Sequence, residues 1–268
     1  MTLWFAVVLG LVQGAAEFLP ISSSGHLALL QAFFPGLAPE DSLLFDVVLH
    51  LGTLISLMAA FRRELWGMLK ALLPRKGAEA GESRRLPGLL LLGTLPLGLA
   101  LPLKGWIEAR AGDTLFIGGA LLLNGAMLYI SDKILAGRKQ AGQAGAFDAL
   151  LVGLAQAAAA LPGISRSGST VTAGLLAGFD RSFAVSYAFL LSFPAVLGAA
   201  LLKLTEALRA GIGEGLLLPC LAGAAAAALS GTLAIGLVRK MAQRGSFRKF
   251  APYCWAVGLG AIILTIFI

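Results

Sequence analysis

A chain of 268 residues with 58% hydrophobic residues, 13% charged residues and a mean hydropathy of +0.86 is not a soluble domain. Soluble domains carry about 25% charged residues, and no soluble core absorbs this much apolar surface, so lipid must solvate much of the chain. The net charge of +7 does not indicate nucleic acid. The bases do not interleave with aromatics on one face; they sit between apolar stretches, where positive charge sets membrane orientation. Cys220 and Cys254 are isolated in apolar segments, without disulfide-framework or zinc spacing, and read as packing residues.

In chain order, the first apolar stretch, residues 2–34, is interrupted at Pro20-Ile21-Ser22-Ser23-Ser24-Gly25. It is not a signal peptide: no basic region precedes Trp4, the stretch contains Glu17 and His26, and the first Lys or Arg is Arg62. Three nearly uncharged runs follow, at 43–61, 86–103 and 114–131. A second interrupted stretch, 147–178, breaks at Pro162-Gly163-Ile164-Ser165-Arg166-Ser167-Gly168. The last runs are 183–202, 215–238 and 251–268. The six uninterrupted runs match the requirement of about 20 residues for a spanning helix. The pieces of the interrupted stretches are each short for a crossing. Irregular backbone at membrane depth survives only inside protein or around a water-filled cavity, so both stretches are expected to be re-entrant helical hairpins whose tips meet.

The two interrupted stretches are copies of each other. A gapless shift of 143 positions matches Gly10 to Gly153, Leu11 to Leu154, Gln13 to Gln156, Ala15-Ala16 to Ala158-Ala159, Ile21-Ser22 to Ile164-Ser165 and Ser24-Gly25 to Ser167-Gly168. The expected fold is therefore an all-α integral membrane protein of about six transmembrane helices plus two re-entrant hairpins. It forms one membrane domain over 1–268, with repeat 1 at about 1–143 and repeat 2 at about 144–268. Each repeat has one hairpin, which returns to its starting side, and three crossings, which do not, so the repeat is expected to be inverted. Charge agrees. Loops 62–85, 132–146, 179–182 and 239–250 hold sixteen Lys or Arg, against four in 35–42, 103–112 and 203–214. The basic side is cytoplasmic, so the first hairpin enters from outside, the second from the cytoplasm, and both termini lie outside.

Ionisable residues within membrane segments are functional candidates by default. Here they are Glu17, His26, Asp46, His50, Asp148 and Arg166. Asp46, His50 and Asp148 read as structural or helix-end residues. The other three fall on the duplicated tips, where the repeats differ: Glu17 aligns with Ala160, Ser23 with Arg166 and His26 with Ser169. This set suits phosphate. Each tip is a Ser-x-Ser-Gly turn opening a helix, which offers N–H groups and a positive dipole end to an anion. Ser22, Ser24, Gly25, Ser165, Ser167, Gly168 and Thr170 are the candidate phosphate-binding residues. Arg166 can hold phosphoryl oxygens through two parallel hydrogen bonds. Gln13 and Glu17 share a helix face at i, i+4 and offer oxygen ligands to a divalent cation. Ser23 or a neighbouring hydroxyl is the candidate nucleophile, with His26 taking its proton. Against this, a Pro-Ser-Gly stretch alone is a helix break, a lone histidine is a satisfied structural donor, and a Glu–Arg pair can simply join two hairpins. Joint occurrence on both tips favours chemistry.

The segment from Gln13 to Leu27, Gln-Gly-Ala-Ala-Glu-Phe-Leu-Pro-Ile-Ser-Ser-Ser-Gly-His-Leu, resembles the first motif of the undecaprenyl-diphosphate phosphatase family associated with bacitracin resistance. Leu161 to Thr170 resembles its second, arginine-bearing motif, and Phe45 to Thr53 the segment after the first. The resemblance runs end to end. It implies hydrolysis of undecaprenyl diphosphate to the monophosphate and inorganic phosphate, recycling the lipid carrier of cell-wall synthesis. It places the protein in the bacterial cytoplasmic (inner) membrane, with the site on the outer side and a divalent cation, Mg or Ca, as cofactor. It assigns acid or metal duty to Glu17, a catalytic role to Ser23 and His26, and phosphate binding to Arg166. The family often has glutamate where this chain has Gln13, which leaves Gln13 a neutral ligand at most. The expected partners are the polyprenyl diphosphate and membrane lipid, not nucleic acid, with a homodimer left open.

The competing reading is a transporter or flippase for a polyprenyl phosphate lipid, because inverted repeats with broken midplane helices serve carriers too. The Ser/His/Arg/Glu cluster favours hydrolysis. An acid-phosphatase-like lipid phosphatase needs a second histidine shortly after the Ser-Arg pair, and the only other histidine is His50. The topology is testable in a background lacking Cys220 and Cys254. Asp41→Cys and Glu214→Cys should react with an impermeant thiol reagent in intact cells, and Glu79→Cys and Arg244→Cys should not. Labelling at position 79 from outside would reverse the orientation.

Overall fold

Apolar runs of this length can satisfy their backbone only as helices, and the computed structural model is helical throughout its regular elements. It describes residues 2–37, 42–71, 78–134, 137–210, 216–244 and 247–267; the probe positions 41 and 214 lie outside these. The first interrupted stretch is α1 (Leu3–Phe18) and α2 (Ser23–Phe33). After it come α3 (Ser42–Ala60), α4 (Arg62–Ala71), α5 (Ala78–Thr94) with a 3-10 turn at 95–100, α6 (Lys104–Ala111) and α7 (Thr114–Ser131). The second stretch is α8 (Ala146–Ala158) and α9 (Arg166–Leu176), followed by α10 (Arg181–Ala210), α11 (Leu217–Arg244) and α12 (Ala251–Phe267). Each expected span has its helix, and each interrupted stretch is a helix pair.

Loops 62–85 and 103–112 hold more helix than their charge suggested. α4 bends 79° away from α3, and α6 bends 78° away from the segment ending at Ala100. Both begin with basic residues and carry an exposed tryptophan, Trp66 or Trp106, the composition of a short helix at the lipid–water boundary. Among the described residues four helices are long and apolar enough to cross a membrane, or up to six if each bent pair counts as one span. Large apolar side chains on their outer faces stay uncovered, as with Leu229 and Leu233 on α11 and Phe267 on α12. Lipid is their natural cover.

The hairpins are interlocked between the halves. α1 lies along α11, while α8 lies along α5 and its 3-10 turn. The 143-residue shift carries 78–94 onto 221–237, inside α11, so the first helix of each hairpin packs on the equivalent element of the other half. Small residues allow this approach, as expected where helices associate without a hydrophobic driving force. A Cβ on Gly10 would collide with the Gly223 carbonyl oxygen, and one on its repeat mate Gly153 with the Gly93 carbonyl oxygen.

α1 stops where it does because Leu19 precedes a proline, and that position avoids the helical region; Leu19 is extended, at φ −66° and ψ 144°. Gly163 takes φ +93° at the other tip, and a Cβ there would meet Ala120 Cβ at 2.6 Å. Behind the tips Asn124 of α7, fully buried, joins them. Its Nδ2 donates to the Pro20 carbonyl at 2.9 Å, and its Oδ1 accepts from the Ser165 N–H at 3.1 Å. Asn124→Leu strands one buried donor and one buried acceptor, each at a cost of about 1–3 kcal/mol. Its melting temperature in detergent should fall clearly below the parent's; an unchanged value would show that the tips are held by other contacts.

Candidate active site

The site begins with two serine caps. Ser22 Oγ accepts from the Gly25 N–H at 3.3 Å, and Ser165 Oγ accepts from the Gly168 N–H at 3.1 Å. The same duplicated sequence thus opens α2 and α9 with the same N-cap. Ser22 is also a non-glycine residue at positive φ, +72°. Such a conformation costs on the order of 1–3 kcal/mol, and here three contacts determine it. They are the Gly25 bond and two to the Ser22 carbonyl, from the His26 N–H at 3.2 Å and from His26 Nδ1 at 2.8 Å.

With the tips in place, the Glu17 carboxylate becomes the hub. Arg166 Nη2 from the opposite hairpin donates to Oε1 at 2.7 Å. Ser23 Oγ donates to Oε2 at 2.6 Å, and Gln13 Nε2, one turn back on α1, donates to the same oxygen at 3.1 Å. His50 Nε2 stands 4.0 Å from Oε2. Its Nδ1 donates to the Asp46 carbonyl at 2.7 Å. The Glu17 side chain is only 6% exposed, which a carboxylate tolerates because it is paired with a guanidinium and hydrogen-bonded.

Glu17, Ser23 and Arg166 line a cavity of 470 Å³ together with Ser22, Ser24 and Ser165. Its remaining walls are mostly apolar, from Leu97, Leu101, Ala195 and Leu202, with His50, Thr94, Gln156 and Lys203 adding polar groups. A volume of this order suits a small-molecule head group.

The other sequence candidates lie elsewhere. His26 does not line this cavity: it is buried, with Nδ1 on Ser22 and Nε2 at 2.9 Å from the Tyr253 hydroxyl, its ring stacked on that tyrosine at 5.6 Å. Ser23 Oγ donates to Glu17 and not to His26, which instead ties the first tip to α12 through Tyr253. Gly25 faces the opposite tip, where a Cβ would come within 3.1 Å of Gly163 Cα. Ser167 donates to the Leu19 carbonyl at 3.1 Å, Thr170 donates to the Arg166 carbonyl at 2.8 Å, and Gly168 packs against Pro20, Met127 and Leu128. These four build the tips and do not line the cavity. Gln13 is fully buried behind Glu17, with its Oε1 lacking a partner among the described residues.

Asp148 caps α8, accepting from the Gly145 N–H at 2.9 Å and pairing with Lys139 at 3.0 Å, and Asp46 accepts from Gln31 at 3.1 Å. Cys220 and Cys254 are free and buried. His50, which the sequence reads as structural, lines the cavity, as do Gln156 and Lys203, which no motif marks. The available signal was polarity at membrane depth for His50 and Gln156. Lys203 was visible only as one of the few bases in the sparsely basic loops.

Among the described residues no three His, Cys, Asp or Glu side chains cluster to hold a metal ion. Any cation here would rest on Glu17, the Gln13 carboxamide oxygen and oxygens of the substrate itself.

A sequence model of the family described as "Bacitracin resistance protein BacA" matches residues 6–260. A protein of Desulforapulum autotrophicum named undecaprenyl-diphosphatase is 40% identical over 275 residues, covering 98% of both chains. One of that name from Geobacter sulfurreducens is 41% identical, covering 100% of this chain and 99% of its own. A third, from Methanosphaera stadtmanae, is 37% identical, covering 97% of each. With a match from near one end to near the other, this chain belongs to the bacitracin resistance protein family.

Proposed function

We propose that this protein hydrolyses undecaprenyl diphosphate to undecaprenyl phosphate and inorganic phosphate, returning the lipid carrier to cell-wall synthesis. The observation that carries the reading is a serine hydroxyl bonded at 2.6 Å to a buried carboxylate, beside an arginine, in a cavity with apolar walls. Family membership and the undecaprenyl-diphosphatase name of its relatives supply the substrate. A carrier would need the arginine and the apolar wall but has no use for a hydroxyl poised on a base.

In this reading Ser23 Oγ attacks the terminal phosphorus and its proton passes to Glu17 Oε2. The bond to the bridging oxygen breaks, and undecaprenyl phosphate leaves with the electron pair. Water then attacks the phosphoserine, releasing inorganic phosphate and restoring the hydroxyl. Glu17 occupies one donor of Arg166, and the guanidinium has five; among the described residues no other side chain is bonded to it, which leaves donors for the phosphoryl oxygens. Lys203 on the cavity wall adds positive charge for an incoming diphosphate. A divalent cation, Mg or Ca, would be held by the Glu17 carboxylate and Gln13 Oε1 and would screen the diphosphate charge.

The protein acts in the bacterial cytoplasmic membrane, with the cavity open to the outer side. Two wall segments, 94–101 and 194–203, run toward the loops 103–112 and 203–214, which carry few basic residues. Purified protein in detergent should release phosphate from a polyprenyl diphosphate. Ser23→Ala and Glu17→Gln should each lose about a hundredfold or more in turnover. A folded parent that binds the lipid and releases no phosphate would leave the carrier reading in its place.

A further inference from the structure

We infer that Gln156 is a substrate-binding residue whose carboxamide donates hydrogen bonds to the phosphoryl oxygens of the bound diphosphate. The inference rests on the diphosphatase reading above and assigns a group that this reading did not use.

Gln156 lies on α8, the descending helix of the second hairpin, and is 1% exposed. Among the described residues neither Oε1 nor Nε2 has a hydrogen-bond partner. Buried polar groups are almost always paired, and an unpaired one costs stability, so a native amide left wholly free calls for a ligand. The residue sits on the wall of the cavity that holds Glu17, Ser23 and Arg166.

The duplication explains how the amide became free. Its repeat mate Gln13 donates to Glu17 one turn later on α1. The residue one turn after Gln156 is Ala160, which also lines the cavity. Alanine at 160 removes the partner that would occupy the carboxamide and removes a negative charge from a wall that a diphosphate must approach. The Gln156 amide supplies two N–H donors without adding charge. One copy of the duplicated glutamine therefore steadies the carboxylate, and the other faces the phosphate.

The experiment compares the parent with Gln156→Met and Gln156→Leu, which fill similar volume without polar atoms. All are purified in detergent and assayed with a polyprenyl diphosphate, with inorganic phosphate as product inhibitor. Both variants should melt at or above the parent, because they remove buried unpaired atoms. Their KM should rise about tenfold or more, the loss expected for a hydrogen bond to a charged group, and inhibition by phosphate should weaken in parallel. kcat should change far less. Parental KM and parental phosphate inhibition in a folded variant would overturn the inference, and so would a fall in kcat alone. Melting well below the parent in both variants would also overturn it, since it would make the amide a structural strut. A parent that released no phosphate would instead defeat the diphosphatase reading itself.

Discussion

One carboxylate organises this protein. Glu17 is nearly buried at membrane depth, where an isolated charge is not tolerated. It persists because Arg166, Ser23 and Gln13 all donate to it. Arg166 belongs to the other half of the chain, so the ion pair forms only if the two hairpin tips meet. The features that bring them together follow from that requirement: the proline that stops α1, the two serine caps, the left-handed Gly163, and Asn124 bridging the tips. The same pair then presents a hydroxyl, a carboxylate and a guanidinium to one cavity.

Duplication supplied the frame, and divergence at a few positions supplied the chemistry. Equivalent serines cap α2 and α9, and equivalent glycines let α1 and α8 pack closely on the opposite half. At the non-equivalent positions, Ser23 against Arg166 and Glu17 against Ala160, the copies became complementary. A symmetric pair of tips would have set like groups against each other; this pair sets an acid against a base.

The sequence showed the helices because a spanning segment must be long, apolar and internally bonded, and few alternatives exist in lipid. It showed Glu17, Ser23 and Arg166 because they break the internal repeat. It did not show that α4 and α6 are helical, since short amphipathic helices with basic starts look like charged loops. Nor did it separate lining residues from building residues on the tips. His26, Ser167 and Thr170 share the tip motifs, but the direction of each side chain depends on what packs behind it: Tyr253, the Leu19 carbonyl and the turn of α9. His50 and Lys203 reach the cavity from α3 and α10, a convergence that is tertiary and left no local pattern.

We propose that Arg166 meets the substrate as well as holding Glu17. Arg166→Lys keeps the charge but loses the planar fork that a phosphoryl group and a carboxylate can share. Turnover and detergent melting temperature, measured together on this variant, test the claim. Turnover should fall by about a hundredfold while the melting temperature stays near the parent's. Near-parental turnover would contradict it, leaving Arg166 as a strut between the two hairpins.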